Sequence, residues 1–330
     1  MRYAVITGVS TGALQALRIA LGEYKELSDD YTIDHESELA VRHGMLNIAL
    51  KGYRYDTAPL RAKLEAILCD RDCARLRRLA DDETPTVLLG MVEMSSGRFK
   101  VLNVKSLLRS VYHPGGTPVA QPDADKVRRA AQCVVGAAMA SAAVPVFLRP
   151  VRLGGPDAGA RTTYADGGVR LSLFEASVAR AVRYFEDETP SVRGSGRVTL
   201  YALRNGPTIV KPAARNRGSS SFQINEKPDA LTMALRAYSI IVNQTEVNSI
   251  ADLRLVHPSG EIRFASADGY DWKARTPCAK DSGAGADDAM FDPQFMRCLI
   301  AWGRDKADRF GWTSLDPLPL AAAAGMTEDR

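Results

Sequence analysis

The residues best suited to covalent chemistry lie near the amino terminus, in the stretch Gly8-Val-Ser-Thr-Gly12. This stretch fits the G-x-S-x-G pattern of a nucleophile elbow, in which a serine occupies a sharp turn between a strand and a helix. β-prone residues at 3–6 precede it, and an apolar helical pattern over 13–21 follows it. Ser10 is therefore predicted to be an exposed nucleophile, with the two glycines allowing the tight bend. An ordinary Gly/Ser turn is the alternative.

A serine hydroxyl is a poor nucleophile unless a positioned base accepts its proton. Asp166 is the candidate base, because it ends a β-prone run and is followed by Gly167 and Gly168. The two glycines leave the backbone free to turn, so the carboxylate is predicted to lie at the tip of a sheet. Asp-Gly is also a common turn dipeptide. Asp166 is singled out here because it supplies a candidate partner for Ser10.

A histidine could serve as the base instead, as it does in Ser-His-Asp hydrolases. Of the four histidines, only His113, beside Pro114-Gly-Gly, is a candidate for such a triad. A histidine in an exposed loop is the alternative interpretation of this position.

The sequence predicts neither a metal site nor a cofactor. The five cysteines are scattered and odd in number, which argues against a complete disulfide framework and favours reduced thiols. Cys69 and Cys73 would share a helix face, but no second pair of ligands accompanies them.

Composition excludes several classes of protein. The formal net charge of +4 comes without a dense basic block, so nucleic-acid binding has little support. A hydrophobic fraction of 45% and a charged fraction of 25% are ordinary for a globular protein. Neither a transmembrane run nor a signal peptide is recognised, so a cytoplasmic protein is expected, with peripheral membrane contact as an option.

The elements that must position these residues alternate between strand and helix. A hairpin is predicted over 86–94 and 98–103, a core strand over 197–203, and helices over 125–140, 228–253 and 292–310. Such alternation argues for an α/β sheet covered by helices. A single domain is expected over 1–318, followed by a disordered tail at 319–330.

Three motifs in this order resemble the patatin-like phospholipase family: Gly8-Val-Ser-Thr-Gly12, Ala140-Ser-Ala-Ala-Val-Pro145 and Asp166-Gly-Gly168. The resemblance covers the chain from Thr7 to about Phe310. It implies a three-layer α/β/α fold with a central, mostly parallel sheet and helices on both faces. By itself, the second motif is interpreted as a closely packed helix end that Pro145 terminates.

The resemblance implies a serine hydrolase that cleaves acyl esters of glycerolipids without a metal. Ser10 would be the nucleophile and Asp166 the general base of a catalytic dyad. The acyl-enzyme would form on Ser10, and water activated by Asp166 would release the fatty acid. The oligomeric state is not implied.

One departure from the family concerns the oxyanion hole. Relatives carry a Gly-rich loop some tens of residues before the serine, whereas seven residues precede Gly8 here. The N–H of Thr11 is predicted to supply part of the stabilisation. Reduced activity is expected, because losing one donor costs about 10²–10³ in rate. Three alternatives stay open: a shortened active hydrolase, a lipid-binding protein of the same fold with weak or no catalysis, and a soluble esterase or thioesterase.

Overall fold

The computed structural model describes residues 3–69, 72–154, 161–174, 199–204, 230–256, 261–266 and 291–314. The chain divides into two compact units, Met1–Phe174 and Glu175–Arg330. The single domain over 1–318 stays a prediction, and the predicted tail at 319–330 lies outside the described residues.

The first unit contains seven α-helices and eight strands among its described residues. The helices are α1 (Thr11–Leu21), α2 (Tyr24–Asp30), α3 (Met45–Lys51), α4 (Ala58–Leu68), α5 (Ala74–Ala80), α6 (Val104–Tyr112) and α7 (Ala124–Ser141). The strands are β1 (Val5–Val9), β2 (Val41–Arg42), β3 (Tyr53–Asp56), β4 (Thr86–Glu93), β5 (Phe99–Asn103), β6 (Val146–Leu148), β7 (Val151–Gly154) and β8 (Arg161–Asp166). The predicted hairpin and the predicted helix over 125–140 are both confirmed.

Strand β4 is the centre of a five-stranded sheet in which β1, β5 and β8 all pair with it. Gly90 pairs with β1 and with β5, whereas the next residue, Met91, pairs with β8 and with β5. Because a strand has two edges, β1 and β8 share the edge of β4 that lies opposite β5. Strand β1 is parallel to β4 and β8 is antiparallel, so β1 and β8 run towards each other along this edge.

The prediction of an α/β fold is confirmed, but this sheet differs from the mostly parallel one that we expected. Among its described pairings only β1–β4 is parallel, whereas β4–β5, β4–β8 and β7–β8 are antiparallel. Two of these antiparallel pairings are local, because β4–β5 and β7–β8 each join strands that are consecutive in the chain and need no crossover helix. Seven successive residues of β4 are buried, and successive side chains point to opposite faces, so both faces of this strand are covered.

Helix α7 supplies much of the core of this unit because its small residues allow close packing. Val134, Val135 and Ala138 are fully buried, and a Cβ on Gly136 would lie 2.6 Å from the side chain of Leu153. The same core contains buried residues of α1, α4, α5, α6 and β4. This packing fixes the carboxyl end of α7, where Ser141 lies, against the sheet.

Two cysteines of this unit lie side by side. Cys69 directly follows α4 and Cys73 directly precedes α5, and their sulfur atoms are neighbours. Cys133 is a free cysteine, and burial raises the pKa of its thiol.

A cluster of charged side chains connects the carboxyl end of α1 with α2 and α5. Arg18, which is 7% exposed, forms ion pairs with Glu23 and with Asp30. Glu23 also accepts hydrogen bonds from Arg75, at 3.0 Å, and from Arg78, at 3.3 Å. The carboxylate of Glu23, which directly precedes α2, thus connects α1 with α5.

The second unit is described over fewer residues. Its strands are β9 (Thr199–Leu203), β10 (Glu261–Ala265) and β11 (Thr313–Ser314), and its helices are α8 (Ala230–Val256) and α9 (Pro293–Phe310). Strand β10 is parallel to β9 and antiparallel to β11. Arg204, directly after β9, pairs with Glu246 of α8 at 2.6 Å. None of the described helices combines the length and apolar character needed to cross a membrane.

Candidate active site

Ser10 lies between a strand and a helix, as the sequence pattern predicts. Strand β1 ends at Val9 and α1 begins at Thr11. Ser10 has φ 55° and ψ −131°, a conformation that L-residues rarely adopt and that costs on the order of 1–3 kcal/mol. The turn leaves Ser10 half-buried, with its side chain at the amino end of the helix.

The two glycines of the elbow, Gly8 and Gly12, differ in how much room they leave for a side chain. A Cβ on Gly8 would lie 2.5 Å from the carbonyl oxygen of Gly12 and 2.7 Å from the Cα of Ala13, so only glycine allows α1 to fold back on β1. A Cβ on Gly12 would meet nothing within 4 Å. The prediction that both glycines are needed for the bend is therefore supported only for Gly8.

Ser10 and Asp166 come together where β1 and β8 meet end to end along β4. Val9 is paired with Gly90, and Asp166 is paired with the next residue, Met91. The carboxyl ends of the two strands therefore face each other at the middle of β4. Asp166 therefore lies beside the middle of β4 and not at the tip of the sheet, where it was predicted.

The two side chains are in direct contact. The hydroxyl of Ser10 donates a hydrogen bond to Oδ2 of Asp166 at 2.6 Å. The other carboxylate oxygen, Oδ1, accepts from the N–H of Gly168 at 2.7 Å, and the N–H of Asp166 itself donates to the carbonyl of Ala143 at 3.0 Å. Asp166 is 3% exposed, so its carboxylate is held in one orientation away from bulk water.

The glycines after Asp166 allow this contact. A Cβ on Gly167 would lie 2.7 Å from the carbonyl oxygen of Gly90 and 2.9 Å from the side chain of Val9. The absence of a side chain at Gly167 therefore lets the turn approach both β4 and the end of β1. Gly168 contributes through its N–H, and a Cβ there would lie 3.1 Å from Oδ1 of Asp166.

Ser141 belongs to a stretch whose sequence predicts only a packed helix end. Its side chain is fully buried, and its Oγ accepts a hydrogen bond from the N–H of Ser10 at 2.9 Å. The same hydroxyl donates to the carbonyl of Gly90 at 2.5 Å. A serine among alanines at the end of α7 is the signal that could have indicated a polar contact, because a buried hydroxyl requires partners.

The amino end of α1 provides a favourable environment for negative charge. The first amides of a helix have no acceptor within the helix, and the helix dipole adds partial positive charge there. The first turn contains no acidic residue. Thr11, the predicted oxyanion donor, is the first residue of this turn.

His113 lies in a different part of the unit from Ser10. Its Nε2 is 3.8 Å from Oδ1 of Asp81, and it lines a cavity of about 650 Å³ together with Tyr3 and Gly22. Tyr3 precedes β1 and Gly22 follows α1, whereas Ser10 lies at the opposite ends of these two elements. This placement gives no support to a Ser-His-Asp triad.

Histidine, cysteine, aspartate and glutamate side chains do not form a group of three or more suited to a metal ion anywhere in the described ranges. Ser10 and Asp166 are hydrogen-bonded to each other, and further hydrogen bonds join Ser10 to the side chain of Ser141 and Asp166 to the backbone of Gly168 and Ala143.

Comparison with known proteins places the chain in a family. No curated protein matches its sequence. A sequence model of the patatin-like phospholipases matches residues 1–177, more than half of the 330 residues and the part of the chain that holds Ser10, Ser141 and Asp166. The chain therefore belongs to the patatin-like phospholipase family, and this membership indicates hydrolysis of lipid acyl esters.

Proposed function

We propose that this protein is a serine hydrolase that cleaves acyl esters of lipids through a dyad of Ser10 and Asp166. The observation that carries the proposal is the 2.6 Å hydrogen bond from Oγ of Ser10 to Oδ2 of Asp166. At this distance a carboxylate can accept the hydroxyl proton directly as the oxygen attacks.

In the first half of the reaction, Oγ of Ser10 attacks the ester carbonyl carbon while its proton moves to Asp166. The carbonyl oxygen becomes an oxyanion in the tetrahedral intermediate. The intermediate collapses when the bond to the alcohol breaks and the alcohol oxygen takes the proton from Asp166. The fatty acyl group remains on Ser10 as an ester.

In the second half, water attacks the acyl carbon of this ester and gives a proton to Asp166. Breaking of the bond to Oγ releases the carboxylic acid and returns the proton to Ser10. The carboxylate thus acts as base and then as acid in each half.

The oxyanion is stabilised by the N–H of Thr11 at the positive end of α1. The N–H of Ser10 is not available for this purpose, because it donates to Ser141. The open space beside the Cα of Gly12 allows a carbonyl group to approach the first turn.

A fluorophosphonate probe, which reacts with activated serines, tests the proposal. We expect the intact protein to form one adduct, located at Ser10 by mass spectrometry, and the Ser10→Ala variant to form none. Both proteins must show the same thermal unfolding. A folded protein that stays unlabelled but binds lipid vesicles would indicate a lipid-binding role without turnover.

The substrate class is tested by comparing phospholipid vesicles with short-chain p-nitrophenyl esters. A lipid substrate must be reached at an aggregate or membrane surface, so the proposal includes peripheral contact with that surface. Higher kcat/KM on vesicles supports a lipid acyl hydrolase. A preference for the soluble ester, unchanged by added vesicles, would identify a soluble esterase or thioesterase instead.

A further inference from the structure

Ser141 connects the backbone of Ser10 to the central strand through one hydroxyl group. It is the last residue of α7 and is fully buried. Its Oγ accepts the N–H of Ser10 at 2.9 Å and donates its own proton to the carbonyl of Gly90 at 2.5 Å. A serine hydroxyl has one proton, so its donor capacity is used in full at Gly90.

The first of these hydrogen bonds involves a residue that lies outside regular secondary structure. Ser10 has a positive φ, and it lies outside both the strand that ends at Val9 and the helix that begins at Thr11. Regular secondary structure therefore does not fix the peptide between Val9 and Ser10. The bond to Ser141 fixes the direction of this peptide, and with it the direction in which Oγ of Ser10 points.

The second hydrogen bond fixes Ser141 to the place where β1 and β8 meet. Gly90 is paired with Val9 in the sheet, and its carbonyl oxygen is also the atom that a Cβ on Gly167 would approach to 2.7 Å. The carbonyl of Gly90 thus lies against the turn that carries Asp166. Through this carbonyl, Ser141 holds the backbone of Ser10 at a set position relative to the carboxylate.

The rings of Phe99 and Phe174 restrict Gly90 from another side. A Cβ on Gly90 would overlap Phe99 and would lie 2.9 Å from Phe174, and the two ring centroids are 5.2 Å apart. The carbonyl that Ser141 contacts therefore belongs to a residue that is confined by its neighbours. A fixed acceptor is what a positioning hydrogen bond requires.

We infer that Ser141 is a positioning residue for the Ser10 nucleophile. Its hydroxyl links the N–H of Ser10 to the carbonyl of Gly90, so that Oγ of Ser10 stays directed at Asp166. This inference rests on the proposed function, because it assigns Ser141 a consequence for the reactivity of Ser10. The hydrogen bonds of Ser141 are to the backbone of Ser10 and of Gly90, so it acts through these groups.

The test compares Ser141→Ala with Ser141→Thr, which keeps the hydroxyl, and with Val135→Ala, which removes buried volume from the same helix without touching Ser10. We expect Ser141→Ala to slow fluorophosphonate labelling of Ser10 by about 10- to 100-fold, because small misplacements of a reacting group have effects of this size. On a p-nitrophenyl ester, kcat should fall while KM stays within about twofold. Ser141→Thr should recover most of the rate, and Val135→Ala should keep it.

Amide hydrogen exchange at Ser10 tests the hydrogen bond between Ser10 and Ser141 without requiring catalysis. In the intact protein the Ser10 amide should be protected, and Ser141→Ala should abolish this protection while amides of β4 keep theirs. Thermal unfolding confirms that each variant is folded at the assay temperature. If Ser141→Thr does not fold, Ser141→Cys replaces it, and its weaker hydrogen bonds should give intermediate rates and intermediate protection.

The outcomes separate this inference from the proposed function. Labelling of the intact protein at Ser10, with Ser141→Ala folded and equally reactive, would overturn the positioning role and leave the hydrolase proposal standing. Equal loss of rate in Ser141→Ala and Val135→Ala would also overturn it, since general loosening of α7 would then explain the effect. A folded intact protein that is never labelled would refute the proposed function, and the inference with it.

Discussion

The hydroxyl of Ser10 meets its carboxylate partner without an intervening imidazole. Oδ2 of Asp166 accepts a hydrogen bond from Oγ of Ser10 at 2.6 Å, and Oδ1 accepts one from the N–H of Gly168. Because both of its oxygens are hydrogen-bonded, the carboxylate of Asp166 has little freedom to rotate. In the proposed mechanism, direct proton transfer therefore requires no rearrangement of Asp166.

Replacing the carboxylate by an amide tests this arrangement at the scale of single residues. We expect Asp166→Asn to reduce kcat on a p-nitrophenyl ester by about 10³-fold, because an amide cannot accept the hydroxyl proton. Ser10 should lose its reactivity towards fluorophosphonate to a similar extent. The matched control is His113→Ala, which should change kcat less than about twofold. A large loss in the histidine variant, with activity retained in Asp166→Asn, would contradict the dyad.

The sequence allowed Ser10 and Asp166 to be proposed together because each is marked by local glycines that a sharp turn needs. It did not allow Ser141 to be assigned a contact. Its partner, Ser10, is 131 positions away in the chain, and a serine beside alanines fits a packed helix end equally well. A hydrogen bond between distant residues leaves no periodicity in the sequence, so only the folded structure could show it.

At the scale of elements, the junction of β1 and α1 depends on one glycine more than on the other. We expect Gly8→Ala to lower the free energy of unfolding by about 2–3 kcal/mol, because its Cβ would overlap the backbone of α1. Gly12→Ala, within the helix and facing open space, should be neutral or stabilising by up to about 1 kcal/mol. Urea unfolding of both variants measures the difference. Equal destabilisation would show that close packing is not what position 8 requires.

The directions of the strands were harder to predict than the elements themselves. The hairpin predicted over 86–94 and 98–103 is confirmed as the antiparallel pair of β4 and β5. The pairing of β8 with β4 depends on a contact between Met91 and Asp166, which are separated by the whole of α6 and α7. Helix and strand patterns along the chain contain no information about which edge of β4 such a distant strand will join.

At the scale of the whole molecule, the stability of the first unit should depend on pH through Glu23. Burial alone would raise the pKa of this carboxyl, but the hydrogen bonds and charges of Arg18 and Arg75 outweigh burial and lower the pKa below the ordinary glutamate value. A lowered pKa in the folded state means that the ionised carboxylate stabilises the fold. This contribution is complete above the pKa of the unfolded chain and is lost as the pH falls through the lowered pKa of the folded state.

We therefore expect Glu23→Gln to destabilise the protein by about 2 kcal/mol at pH 7, where the carboxylate is fully ionised. The difference between the variant and the intact protein should shrink as the pH is lowered below 5. Chemical denaturation over this pH range measures both values. Glu26→Gln, at an exposed position of the neighbouring helix, is the matched control and should follow the intact protein. A destabilisation that is constant with pH would refute the role of the charge.

The meeting of β1 and β8 has a consequence for the kinetics of folding. Ser10 and Asp166 are 156 positions apart in the chain, and their contact forms only when β8 has docked beside the end of β1. Contacts of such long range require the closure of a large loop and therefore form late, whereas helices such as α1 form within local sequence. During refolding, helical signal should consequently return before Ser10 becomes reactive. An active serine in this protein would thus report that the first unit has finished folding.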